Sequence, residues 1–243
     1  MSKWKPAVIR RIEQRSPTVR SFWLELPDRE QLEFRAGQFL TLDLPISERR
    51  RERWRSYSIA AAANGTNLAE LCIVRLPEGK GTGYLFYEAE VGTEVQTKEP
   101  GGVFTLPAAP LTKDIVMICT GTGVAPFRAM LQERLATEAV NFHLVFGCRR
   151  PEDILYVEEF TELARKHDNF TYTVTLSRET TELTEGVEVL SGYVHQAYER
   201  DYAEVREDVQ FYLCGWAVMV DEAKERLLAM GYPAGQIVEE LYG

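Results

Sequence analysis

Residues 114–138 read "DIVMICTGTGVAPFRAMLQERLATE", and three kinds of local pattern follow one another in them. Ile115 to Cys119 are all apolar, as in a strand covered on both faces. Gly121 and Gly123 permit a tight turn. Beyond it Phe127, Met130, Leu131 and Leu135 recur at helical spacing, and Pro126 suits a first helical turn, where its missing N–H costs little. A helix begun this way aims free N–H groups and a partial positive charge at an anion. The spacing is not the GxGxxG fingerprint, because Pro126 stands where the third glycine would be. Taken alone, the turn is equally readable as a plain joint between strand and helix.

Working outward, the same alternation continues towards the carboxyl end. "FHLVFG" (142–147), "VEEFTELARKH" (157–167), "FTYTVTL" (170–176), "GYVHQAYE" (192–199), "VQFYLCG" (209–215), "AVMVDEAKERLLAMG" (217–231) and "IVEELYG" (237–243) follow in turn. Strands alternating with helices predict a doubly wound parallel sheet. Towards the amino end the pattern differs. "TVRSFWLEL" (18–26), "QFLTLDL" (38–44), "RSYSIA" (55–60), "LAELCIVRL" (68–76) and "TEVQTKEP" (93–100) are short strands with the spacing of an antiparallel barrel or sandwich. "PEGKGTGYLFYEAEVG" (77–92) adds a Gly-rich turn and one short helix. The change falls in the Pro/Ala-rich link at 107–113, giving a β-barrel domain over residues 1–108 and an α/β domain over 113–243.

The totals narrow the classes. With 243 residues and 45% hydrophobic content, the chain suits a globular protein of two ordinary domains. No apolar run reaches the roughly 18 residues a membrane helix needs, and the amino-terminal residues lack a secretion-type apolar stretch, so a cytoplasmic protein is expected. Cys72, Cys119, Cys148 and Cys214 lie far apart without CxxC spacing, which argues against an iron–sulfur cluster or zinc. A net charge of −9 disfavours a general nucleic-acid binder. Residues 1–110 hold 16 Lys+Arg against 14 Asp+Glu, and the remainder 12 against 23, so the two halves differ in character.

Four further stretches invite chemistry. "RWRSYSIA" (53–60) drives an arginine-rich segment, preceded by Arg49, Arg50 and Arg51, into a strand with a tyrosine and two hydroxyls. "FGCRRPED" puts Arg149 near the place where an acidic residue would hold the ribose of NAD; an arginine there suits the 2′-phosphate of NADP. Ser177 and Arg178 end the next strand, where ligands of open α/β sheets bind. "LCGW" ends the last long strand with Cys214 and Gly215. Singly, each arginine reads as solvated and Cys214 as a packing residue.

Taken together, these residues resemble the ferredoxin–NADP reductase family. Arg55-Ser56-Tyr57-Ser58 resembles its RxYS signature, and Gly79-Lys80-Gly81-Thr82 its GxxS phosphate loop with threonine for serine. Gly121 to Pro126 resembles its GxGxxP turn, Cys214-Gly215 its nicotinamide-side CG, and "EELYG" its ending. The resemblance spans nearly the whole chain, in the family's order. It implies a flavin-binding barrel and an NADP-binding α/β domain. Arg55 would pair with the flavin nucleotide's phosphate, Tyr57 would stack on the isoalloxazine, Ser58 would face flavin N5, and Ser56 and Thr82 would complete the site. Thr120, Gly121, Thr122, Gly123 and Pro126 would hold the NADP pyrophosphate, with Arg149, Ser177 and Arg178 on the 2′-phosphate and Gly215 beside the nicotinamide. Cys214 and Glu240 would flank the nicotinamide, and Tyr242 would cover the other flavin face, with Gly243 trailing past it. The choice of FAD follows the family subgroup.

Three departures stand out. Glu99 replaces the glycine that opens the family's "GPxG" turn. Tyr193 stands where a related bacterial subgroup has a further arginine, which softens the expected preference for NADPH over NADH. The triple arginine exceeds what flavin binding needs. The implied reaction is hydride transfer from NADPH to flavin, then single electrons to a small acidic carrier such as ferredoxin or flavodoxin, steered by Arg49, Arg50, Arg51 and Arg53. An oxygenase reductase, a free-flavin reductase and a non-catalytic relay subunit are the alternatives.

Overall fold

The computed structural model describes residues 4–179 and 187–242, so Gly243 lies outside the described residues. The chain forms two compact units, Met1–Leu106 with Ala125–Glu133, and Pro107–Val124 with Arg134–Gly243. The first contains β1 (Lys5–Ser16), β2 (Val19–Glu25), β3 (Phe39–Asp43), β4 (Trp54–Ser58), β5 (Leu68–Val74), α1 (Lys80–Tyr87) and β6 (Glu94–Thr97). Its sheet runs in the order β4-β3-β6-β1-β2-β5, and every pairing is antiparallel. The edge strands meet where Ile59 bridges Leu71 and the Ala60 N–H donates to the Glu70 carbonyl at 2.7 Å. This short seam closes the sheet on a core that includes Phe22, Leu24, Leu40, Leu71 and Leu85.

The sequence does not announce β1. Its pairing with β2 slips between Ile9 and Arg11, and such a bulge shifts the phase of in–out alternation. Arg10, Arg11, Glu13 and Arg15 then hide what apolar period remains. Glu99, the departure noted above, is an anchor: Arg29 donates to its two oxygens at 2.7 and 2.9 Å, and Lys5 lies 3.0 Å away. The Arg29 hydrogen bonds, with Lys5 adding to them, hold its carboxyl down at about 2.

The second unit holds β7 (Asp114–Thr120), β8 (Phe142–Cys148), α3 (Val157–Lys166), β9 (Phe170–Leu176), β10 (Glu188–Ser191), α4 (His195–Asp201), β11 (Val209–Trp216), α5 (Ala217–Ala229) and β12 (Ile237–Tyr242). The sheet is parallel, in the order β10-β9-β8-β7-β11-β12. The fold is thus the expected pairing of an antiparallel barrel with a doubly wound sheet. Helix α2 (Val124–Arg134) starts in the second unit, but its residues 125–133 group with the first. There Phe127 meets Phe104, ring centroids 5.8 Å apart, and Gly37, at φ +98°, has no room for a side chain beside the Phe104 carbonyl and Met130. Among the described residues no helix is long and apolar enough to cross a membrane.

One buried polar relay crosses the second unit. His143 shares hydrogen bonds of 2.9 Å with the Tyr202 and Thr173 hydroxyls, and burial pushes its imidazole down to about 4. The folded chain therefore stays neutral there while the unfolded chain takes up a proton below about 6.5. Stability from this residue is complete above that value and is lost as the pH falls towards 4. In denaturant titrations, the advantage of wild type over His143→Gln should shrink between pH 7 and pH 5, at up to about 1.4 kcal/mol per pH unit; a constant difference would contradict the assignment.

Candidate functional site

The first unit gathers a cation, a buried phenol and a helix start. On β4, Leu40 pairs with Tyr57 and Phe39 with Ser58 across β3. Arg55 donates to the carbonyls of Glu52 at 3.0 Å and Trp54 at 2.7 Å, which steers its side chain to the first turn of α1. A Cβ on Gly81 would sit 2.8 Å from Arg55 Cγ and 3.2 Å from its Nε, so only glycine admits this approach. The Arg55 stem and Nε thus lie beside the first turn of α1, and a guanidinium next to helix-start N–H groups is chemistry suited to a phosphate. Tyr57 is pushed up to about 12 by burial, against the pull of Arg55, and its buried hydroxyl has no hydrogen-bond partner. A buried hydroxyl is ordinarily hydrogen-bonded, so this one has capacity for a further polar partner.

Two hydroxyls named from the sequence are engaged otherwise. The Thr82 hydroxyl accepts from the Leu76 N–H at 3.1 Å and donates to the Gly79 carbonyl at 3.1 Å. It therefore closes the phosphate loop, leaving the helix N–H groups to face a ligand. Ser56 is exposed and shares a 2.9 Å hydrogen bond with Thr41. Ser58 is buried at the end of β4. Of the basic cluster, Arg53 is committed to Asp43 at 2.6 Å. Arg49 contacts Glu52 at 3.2 Å but keeps 85% of its side chain exposed, and Arg50 keeps 66%.

In the second unit the strand order reverses between β7 and β11, and the crevice at such a reversal is where open α/β sheets receive ligands. Thr120 ends β7, and Gly121 turns the chain at φ +53°. Thr122 and Gly123 are buried, as is Pro126 in the first turn of α2. A Cβ on Gly123 would lie 2.3 Å from the Cys214 carbonyl oxygen, and one on Gly215 would lie 2.6 Å from Thr120 Oγ1. Gly123 is thus required by close backbone packing and Gly215 by the Thr120 side chain and its own φ of +142°, and the buried Thr120 hydroxyl is unpartnered. At the tips of β8 and β9, Ser177 N–H donates to the Cys148 carbonyl and Arg178 N–H to that of Arg149, each at 3.1 Å. That pairing brings the exposed side chains of Arg149 and Arg178 to neighbouring strand ends.

The register of β11 with β12 aligns Cys214 with Glu240 and Trp216 with Tyr242. Burial first, and the Glu240 carboxylate second, raise the Cys214 thiol far above its ordinary range, while a hydrogen bond with Tyr242 pulls the other way. Cys214 is a neutral thiol and no nucleophile at neutral pH. The structure brings Cys214, Gly215, Glu240 and Tyr242 to one end of the β11–β12 pair.

Two family models match successive parts of the chain. Residues 6–106 match the family model of the oxidoreductase FAD-binding domain, and residues 117–225 that of the oxidoreductase NAD-binding domain. Over 232 residues the chain is 34% identical to ferredoxin–NADP reductase B of Sorangium cellulosum, covering 93% of each. It is 32% identical to the reductase component of propane 2-monooxygenase from Rhodococcus jostii, covering 94% of this chain but 61% of that protein. The structure of the Amycolatopsis cytochrome P450 reductase GcoB matches with a TM-score of 0.85 at 27% identity, over 99% of this chain and 71% of that one. A ferredoxin NADP+ reductase from Neisseria gonorrhoeae with bound FAD and NADP has the same fold, with a TM-score of 0.81 at 23% identity over 99% of both.

The two turn glycines should respond differently to substitution. Gly123→Ala forces backbone apart at 2.3 Å and should cost about 3 kcal/mol or more. Gly121→Ala meets open space and pays only for its φ of +53°, about 1–2 kcal/mol. Urea denaturation of both variants measures the contrast, and equal losses would contradict it.

Proposed function

This chain belongs to the ferredoxin–NADP reductase family of FAD- and NAD(P)-binding oxidoreductases, and on that premise we propose that it carries electrons from NADPH to a small acidic carrier such as ferredoxin or flavodoxin. The observation that carries this reading is the paired constellation itself. Arg55 and Gly81 lie against each other beside Tyr57, whose hydroxyl is unpartnered, on one unit, and Thr120–Gly123 with Cys214–Gly215 frame the switch point on the other; both fit the reading of a flavin site and a nucleotide site. Bound FAD supplies the conversion between a two-electron hydride and single electrons.

The chain's own residues bind and orient. Arg55 and the start of α1 neutralise the flavin nucleotide's phosphates, Tyr57 backs the ring system, and Ser58 presents its hydroxyl to the reacting edge. The Gly121–Gly123 turn and the amino end of α2 receive the pyrophosphate of NADPH. Arg149, Ser177 and Arg178 read the 2′-phosphate; Arg178 can do so with a planar fork that an inorganic-like oxyanion matches. At the tips of β11 and β12, the neutral Cys214 and the carboxylate of Glu240 shape the berth for the nicotinamide, with Tyr242 beside them. The reactive carbon must be held within about 3–3.5 Å of its acceptor atom.

The carrier is argued from charge. Arg49, Arg50 and Arg51 stay exposed next to β4 in a protein whose net charge is −9. A local positive potential of this kind speeds encounter with an acidic partner. Four free cysteines suit a reducing compartment, which supports the cytoplasm as its place. The oxygenase-reductase reading draws on the Rhodococcus relative, of which this chain spans under two thirds.

Removing positive charge from the carrier surface, Arg49→Glu with Arg50→Glu, should slow ferredoxin reduction about tenfold at low salt and leave ferricyanide reduction within about twofold; equal effects would exclude steering. The nucleotide assignments separate by variant. Arg55→Ala should lower the FAD content of the purified protein. Arg178→Ala should raise the KM for NADPH about tenfold, with that for NADH nearly unchanged. A parallel rise in both would show that Arg178 does not read the 2′-phosphate.

A further inference from the structure

The barrel seam carries a charge pair that the proposed function leaves unused. Glu70 sits one residue before Leu71, which bridges to Ile59. Its carboxylate accepts from the Ser21 hydroxyl at 2.8 Å, from Arg15 at 3.4 Å and from Arg128 Nη1 at 2.8 Å. The same Nη1 donates to the Ala60 carbonyl at 2.8 Å, while the Ala60 N–H is bound to the Glu70 carbonyl. The side chains of Arg128 and Glu70 are 12% and 4% exposed. Gln132, one turn on, accepts from the Ala62 N–H at 3.0 Å. Helix α2 thus grips the chain just beyond β4 at two points.

Seam closure does not require this pair, since the Ile59–Leu71 bridge and the Ala60–Glu70 backbone bond already join the edges. A buried ion pair seldom adds net stability over a well-packed apolar replacement. What it adds is a fixed position, because one guanidinium nitrogen held between two acceptors leaves Ala60 no freedom to slide. We propose that Arg128, held in place by Glu70, is a positioning residue for the Tyr57–Ser58 end of β4, setting through Ala60 where the Ser58 hydroxyl meets the flavin. The proposal rests on the assignment of Tyr57 and Ser58 to the flavin site.

Arg128→Met alone takes one cation from a buried carboxylate that Arg15 and Ser21 also contact, so the informative variant is Glu70→Gln with Arg128→Met, which removes both charges of the pair. Arg128→Lys, which keeps the charge and a donor, serves as the conservative rescue. The measurements are the denaturation midpoint, the visible absorption spectrum of the FAD-loaded protein, and kcat and KM for NADPH with ferricyanide. The double variant should fold and take up FAD, yet show displaced flavin bands and a kcat lowered about tenfold or more, with KM for NADPH within about twofold. Arg128→Lys should restore most of the spectrum and the rate. A double variant with wild-type spectrum and kcat overturns the proposal, as does one that fails to fold, which would make the pair a structural support only. Ser58→Ala with undiminished kcat would instead overturn the underlying flavin assignment.

Discussion

At residue 123 the backbone lies so close to the carbonyl of Cys214 that no side chain fits. That contact fixes much of the nucleotide end of the molecule. It welds the turn after β7 to the tip of β11, the two strands between which the sheet order reverses. Because α2 begins where this turn ends, its amino end and its dipole are aimed by the same constraint. Because β12 is in register with β11, Glu240 and Tyr242 inherit their positions from it as well. A methyl group at one glycine would disturb all of these together.

The barrel has a comparable single point of dependence. Six strands close through the neighbourhood of Ile59 and Leu71, and the residues that would meet a flavin ring lie immediately before it. A seam of so few bonds leaves β4 under-determined from its free side. The buried contact of Arg128 with Ala60 and Glu70 supplies the missing restraint.

Much of this could be read from residues near each other in the chain. The apolar run Ile115–Cys119, the glycine turn and the helical period after it are local signals, and so is the arginine–tyrosine strand at Arg55 and Tyr57. Strand β1 escaped because its bulge breaks the alternation on which such readings rely. The role of the Thr82 hydroxyl escaped because its partners, Leu76 and Gly79, are set by loop geometry. Glu99 has its cause in Arg29, 70 residues away in sequence, which donates to its carboxylate. The pair Glu70 and Arg128 stands 58 residues apart and forms no motif at all. Local pattern thus identifies the strands, turns and helices, and what holds them in place is written in contacts between distant residues.

The ionisation state of Cys214 has a consequence for durability. Hydrogen peroxide oxidises cysteine when the thiolate attacks it, so a thiol that keeps its proton reacts slowly. Burial and the carboxylate of Glu240 keep the proton on this sulfur. The thiol at the tip of β11 is thereby kept in its less oxidisable form.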